Sequence, residues 1–211
     1  MEALALYADL PAAVRFHTRI RAWTAPLAAL AERVPSAGRL LEVGCGHGLF
    51  ANQAALTHPG LEVLGVDPSA EKLRWAEASR KGRANVSFRP GRLEDVPERG
   101  FDMVAVLDVL YLVPRGEWPG FLEGCRERLR PGGSLLLKEV DVRPRLKFYR
   151  CLLQETLSVR LLGITLGGAF AFASRDEMGG RLAGAGFRDV RVSDLGRGYL
   201  TPHVLYEARC Q

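Results

Sequence analysis

Mostly apolar runs of strand length alternate along this chain with stretches of helical period. Runs at 40–43, 61–66, 101–107 and 134–140 are short and bounded by glycine, proline or charge, as expected of strands buried on both faces. Between them, 48–57, 69–80 and 118–129 read as helices, the second opened by Pro68 and Ser69. A shorter strand at 85–89, a helix at 175–185 and two strands at 187–193 and 202–209 complete the series. Strand and helix in alternation predict a mainly parallel sheet covered on both faces, closed by an antiparallel pair. Arg130-Pro131-Gly132-Gly133 predicts a sharp turn into the fifth strand.

Two segments fall outside that alternation. In 12–33, Phe16, Ile20, Trp23 and Leu27 are spaced to form one helical stripe, and Pro26 suits the first turn of a second helix. The pattern predicts an N-terminal helical pair that covers the sheet or closes over a site. The second segment, 143–174, is much longer than a crossover requires. Its first part carries five basic side chains (Arg143, Arg145, Lys147, Arg150, Arg160) against one acid, Glu155, and predicts a helix over 145–162. The apolar, glycine-rich run 161–173 follows. A substrate lid is the favoured reading of this insertion, with anionic-membrane contact through 143–172 and a homodimer surface as the others.

The chain has 211 residues, 47% hydrophobic and 25% charged, which suits one domain with a sizeable core. Its segments read as a cap (1–37), a core (38–142), the insertion (143–174) and a closing helix and hairpin (175–211). Cys45, Cys125, Cys151 and Cys210 lack C-x-x-C or metal-ligand spacing, which predicts reduced thiols and no metal. Residues 1–11 lack the layout of a signal peptide, and 161–173 is too short to span a bilayer, so the expectation is a cytoplasmic protein, peripheral at a membrane at most. The net charge of +5 comes without a clear basic-aromatic cluster and does not favour nucleic acid.

The chemistry concentrates where the first strand runs into Gly44-Cys45-Gly46-His47-Gly48 and then into a helix. Glycines there tolerate positive φ and let a ligand lie on bare backbone, and the helix start offers free amides. The second strand ends in Asp67, whose carboxylate suits two ribose hydroxyls. The pair describes a nucleoside-type cofactor across the ends of two adjacent parallel strands. The spacing G-x-G-x-G, with Glu42 two residues ahead, departs from the G-x-G-x-x-G of dinucleotide sites and argues against a nicotinamide dehydrogenase.

These residues resemble the first two motifs of class I S-adenosylmethionine-dependent methyltransferases. Phe101-Asp102-Met103-Val104, Leu129-Arg130-Pro131-Gly132-Gly133 and Ala185-Gly186-Phe187 resemble the family's fourth-strand, fifth-strand and sixth-strand signatures in the same order. The resemblance implies a Rossmann-like, doubly wound α/β fold: a seven-stranded mixed sheet, mostly parallel, with an antiparallel last strand. It implies S-adenosylmethionine as cofactor, S-adenosylhomocysteine as product, and methyl transfer to a small or lipid-like acceptor. Glu42, Gly44, Cys45, Gly46, Gly48, Asp67, Pro68, Leu93, Glu94 and Asp108 would lie along the cofactor. After strand three, Gly91-Arg92-Leu93 replaces the family's acid-bearing triplet. Arginine cannot accept a hydrogen bond, so either Glu94 serves adenine or backbone and apolar packing do.

On the acceptor side, Asp108 could orient the cofactor's methionine end, act as a base or cap a loop, and Tyr111 could donate to an acceptor oxygen or simply pack. Glu139 and Asp141 flank the end of strand five. His47 is expected at a solvent-exposed helix start, while His17 and His203 read as structural. Two other classes stay open here: a cofactor-binding module without catalysis, and a nucleic-acid or protein methyltransferase.

Overall fold

The computed structural model describes residues 1–143 and 171–211. A 3-10 turn at Glu2–Tyr7 leads into α1 (Ala12–Thr24) and a short α2 (Leu27–Ala31). The alternation follows as β1 (Ala37–Val43), α3 (Leu49–Thr57), β2 (Gly60–Asp67), α4 (Ala70–Ser79), β3 (Val86–Pro90), β4 (Phe101–Leu107), α5 (Trp118–Arg128) and β5 (Leu129–Val140). Helix α6 (Arg175–Gly184) and strands β6 (Phe187–Asp194) and β7 (His203–Cys210) close the chain. The expected helix over 145–162, and with it the readings of the insertion, lies outside the described residues.

Seven strands form one sheet in the order β3-β2-β1-β4-β5-β7-β6. The first five run parallel, and β7 pairs antiparallel with both β5 and β6. The sheet is the mixed, mostly parallel architecture expected above. Strand periodicity divides the core in two: Leu40, Met103, Ala105, Leu136 and Leu205 face the cluster beneath the N-terminal segment and α3. Leu41, Val43, Val104, Val106, Leu135, Leu137 and Tyr206 face the cluster with Trp118 and Leu122 of α5 and Met178 and Leu182 of α6. Local signals hold at the helix starts, where Ser69 and Ser174 cap α4 and α6 by accepting from Lys72 N and Glu177 N.

Two local expectations change. Arg130 to Gly133 does not end one element before another begins. Pairing with β4 jumps from Phe101–Leu129 to Met103–Ser134, so these residues bulge out of a single long strand. The single stripe expected in 12–33 is also split: α1 ends at Thr24, Leu27 lies in the core at the start of α2, and Phe16, Ile20 and Trp23 are exposed. Helix α1 instead turns Val14 and Thr18 inward. Polar contacts to the sheet's carboxyl edge, described next, fix that rotation.

Strand order reverses between β1 and β4, whose chains then leave in opposite directions along the sheet. Such a switch point leaves a crevice at the strands' carboxyl ends. The loops after β1, β2, β3 and β4 all open there.

Candidate active site

The loop after β1 is drawn onto β2 by backbone bonds. Gly44 N and Cys45 N both donate to Val66 O, at 2.8 and 3.0 Å. Gly44, Gly46 and Gly48 all have positive φ, +75°, +54° and +74°, which side-chain-bearing residues rarely adopt. Their surroundings differ. A Cβ at Gly44 would stand 2.4 Å from Val109 Cγ2, and one at Gly48 would stand 2.5 Å from Phe88. At Gly46 it would meet nothing within 4 Å. Gly44 and Gly48 are therefore required for packing, while Gly46 is a bare stretch of backbone facing open space.

Asp67, buried at the end of β2, ties this loop to the next. Its Oδ2 accepts from Gly46 N at 2.8 Å, its Oδ1 from Ser69 N at 2.9 Å, and its carbonyl from Gly91 N at 3.1 Å. A carboxylate has about four acceptor positions, so two remain for a ligand's hydroxyls. Glu42 is buried behind the loop and accepts from Ala51 N at 3.0 Å. Burial raises its pKa to about 8, against a smaller opposing effect of that amide. Cys45 packs beside Leu73 and Ala76, and burial pushes its thiol pKa up.

The N-terminal segment straps the loop from outside. The buried Tyr7 hydroxyl donates to His47 O at 2.7 Å and accepts from Asn52 Nδ2 at 2.9 Å, and Asn52 also reaches Ser79 Oγ. His17 of α1 lies against His47, ring centroids 4.6 Å apart. His47 is thus half-buried rather than solvent-exposed; desolvation first, then the neighbouring His17 and Lys72, lower its pKa to about 4. His17 shifts in the same direction, again chiefly through burial. With its pKa near 4, the His47 imidazole is neutral at pH 7.

The edge after β4 and β5 has a different construction. Asp108 follows β4 with φ +61°, the strained αL region for a non-glycine residue. Two cations hold it there: Lys138 Nζ at 2.5 Å from Oδ1 and Arg21 of α1 at 2.6 Å from Oδ2. Lys138 lies in the middle of the sheet with 0% exposure. Burial works against both charges, lowering the Lys138 pKa, yet Lys138 and Arg21 together hold Asp108 far below the usual carboxylate range. Glu139 accepts from Leu110 N at 3.0 Å, and burial plus the Asp108 charge raise its pKa to about 8. His203 of β7 is buried and bonds Thr24 O at 2.8 Å, fastening the end of α1. Its pKa falls to about 4, mainly through burial.

Tyr111 is buried and stacks on Phe172, with its carbonyl accepting from Ala171 N. Asp141 accepts from Arg143 N and pairs with Arg175 at 2.7 Å. Leu93 packs in the core under Gly124, and Glu94 is exposed with its carbonyl toward Arg128. The structure joins Glu42, Gly46 and Asp67 at one end of the crevice, and Asp108 with Arg21 and Lys138 at the other. Tyr7, Arg21, Asn52 and Lys138 were not foreseen. Lys138 alone carried a signal, a lysine inside an apolar run flanked by buried strands. Among the described residues, no group of three or more His, Cys, Asp or Glu is placed to hold a metal ion, and no helix is long and apolar enough to cross a membrane.

A protein-family model described as a methyltransferase domain matches residues 15–192. A ubiquinone biosynthesis O-methyltransferase from a Bradyrhizobium species is 32% identical over 105 residues, covering 49% of this chain and 40% of the relative. A fatty-acid O-methyltransferase from Mycolicibacterium smegmatis is 35% identical over 109 residues, covering 51% of this chain and 38% of the relative. The chain therefore spans about two fifths of the length of these relatives. In three dimensions, an O-methyltransferase family protein from Burkholderia thailandensis superposes with a TM-score of 0.72 at 18% identity, over 97% of this chain and 61% of that one.

Proposed function

The chain belongs to the class I S-adenosylmethionine-dependent methyltransferases, and from that premise we propose that it moves a methyl group from S-adenosylmethionine to a small or lipid-like acceptor. One observation carries the reading: Asp67 at the end of β2 and the open face of Gly46 after β1, bonded to each other, line the crevice at the carboxyl ends of the strands, next to the switch point between β1 and β4. The residues fit the cofactor, because Gly46 offers bare backbone and Asp67 keeps acceptor capacity for ribose hydroxyls. When bound, S-adenosylmethionine supplies an electrophilic methyl on a good leaving group, open to in-line displacement.

The chain's own contribution is then alignment, electrostatics and exclusion of water. Glu42 places a carboxylate behind the glycine loop, where it can ionise in response to a cationic ligand. Leu93 and Glu94 are the candidates beside adenine, and Pro68 follows Asp67 at the ribose end. Asp108 serves better as an orienting charge than as a base, because a carboxylate clamped by Lys138 and Arg21 has little tendency to take a proton. Tyr111, close to that clamp, is the candidate donor to an acceptor oxygen. The apolar acceptor class draws support from the relatives named for ubiquinone and fatty-acid methylation.

The test is turnover. Purified protein with S-adenosylmethionine should form S-adenosylhomocysteine with a prenylated phenol or a long-chain fatty acid, and more slowly with a polar catechol. Tight cofactor binding with no turnover on any acceptor would leave a non-catalytic binding module. Turnover on RNA or protein alone would refute the acceptor class.

A further inference from the structure

Helix α1 presents an outer face unlike that of a helix covering a soluble domain. Phe16, Ile20 and Trp23 are 66%, 41% and 74% exposed. Successive residues of an α-helix are about 100° apart, which puts these three within roughly 60° of one another and about opposite Val14 and Thr18. Isolated exposed apolar residues are ordinary, but three large ones on one stripe are not. Arg15 and Arg19 border the stripe, and α1 contains no Asp or Glu.

The rotation of α1 is imposed from its inner side. His17 lies on His47, Arg21 pairs with Asp108, and Thr24 O bonds His203, so the apolar stripe cannot roll inward without breaking all three. The His203 bond also brings the β6–β7 loop to the end of α1. That loop carries Leu200, 65% exposed, and Arg197. Large apolar side chains bordered by arginines, without acids in the helix, thus flank the crevice at the carboxyl edge of the sheet.

We propose that α1, with Leu200 beside it, docks this protein on an anionic lipid surface. Phe16, Ile20 and Trp23 would enter the boundary between headgroups and acyl chains, and Arg15 and Arg19 would meet the lipid phosphates. Charge is what selects this occupant: an apolar interface with another protein has no need of a cationic border without acids, whereas an anionic membrane attracts one. Docking of this kind turns the crevice toward the bilayer, where a lipid-like acceptor would reside. The docking itself does not depend on the acceptor assignment.

Flotation with vesicles tests it. Wild-type protein should float with mixed phosphatidylcholine–phosphatidylglycerol vesicles, less with phosphatidylcholine alone, and less as salt rises. Replacing Phe16, Ile20 and Trp23 together with serine should weaken binding by at least about 100-fold, and Arg19→Gln by about five-fold. Trp23→Phe should keep flotation while removing the blue shift of tryptophan fluorescence. If the triple variant fails to fold, Trp23→Ser and Arg19→Glu, each changing one exposed side chain, carry the same test. Wild-type protein that does not float, or serine variants that float equally well, would overturn the proposal. So would a wild-type dimer that the serine variants dissociate without any vesicle binding, which would assign the stripe to a second copy of this chain.

Discussion

The two ends of the crevice are built on opposite principles. The β1–β2 end is made of backbone: glycines at positive φ, amides turned onto one carboxylate, and an open face at Gly46. The β4–β5 end is made of side chains, with Asp108, Lys138 and Arg21 brought from β4, β5 and α1 into one buried charge cluster, and His203 of β7 beside it. A backbone cradle can be rigid at little electrostatic cost. A buried cluster is stable only while every charge keeps its partner.

The largest expected effect therefore falls on the second end. Asp108→Ala leaves Lys138 and Arg21 facing each other without their shared anion and should cost about 3–5 kcal/mol in chemical denaturation. Lys138→Met should also destabilise, but the double variant should cost clearly less than the sum. Additive costs would mean that the cluster is not the unit described here.

At the first end the effects should appear in binding before stability. Gly46→Ala should lower affinity for S-adenosylmethionine about ten-fold while costing only the roughly 1–2 kcal/mol of a side chain at positive φ. Gly44→Ala meets Val109 at 2.4 Å and should lose more stability than its neighbour. Calorimetry and thermal melts of the pair separate a ligand-facing glycine from a packing one. The reverse order would break the distinction between them.

This contrast also explains what could be read in the chain. The cradle is local: Glu42, the loop 44–48 and Asp67 lie within one strand-turn-helix-strand unit, and the glycine spacing shows it directly. The strands themselves showed in apolar runs such as 61–66 and 101–107, while the seven-stranded mixed sheet came with the family resemblance and the order of its strands only with the structure. The charge cluster joins residues far apart in sequence, and Arg21 looked like any arginine on a surface helix. The same limit applies to the direction in which the α1 stripe faces. Apolar spacing identifies which residues share a face, but the polar contacts of His17, Arg21 and Thr24 decide which way that face points.

The smallest effect concerns pH. Glu42 binds its proton up to about pH 8 in the folded chain, against 4.5 for an ordinary glutamate. The folded state thus holds more protons between those values, and this group's contribution to stability falls as pH rises through that window. A bound cation favours the ionised form, so cofactor binding near pH 7 should release a proton and tighten as pH rises toward 8. Glu42→Gln should abolish both the release, seen by calorimetry in buffers of different ionisation enthalpy, and part of the alkaline loss in melting temperature. Unchanged proton release in the variant would place the titrating group elsewhere, Glu139 being the other carboxyl raised to about 8.

Calorimetric titration of S-adenosylmethionine into wild type and Asp67→Ala addresses the cradle most directly. Wild type should bind one equivalent, and loss of the carboxylate should weaken binding by about 100-fold or more, the worth of two hydrogen bonds to a charged group. Equal affinity in the two proteins, or no binding by either, would contradict the assignment of this crevice to the cofactor.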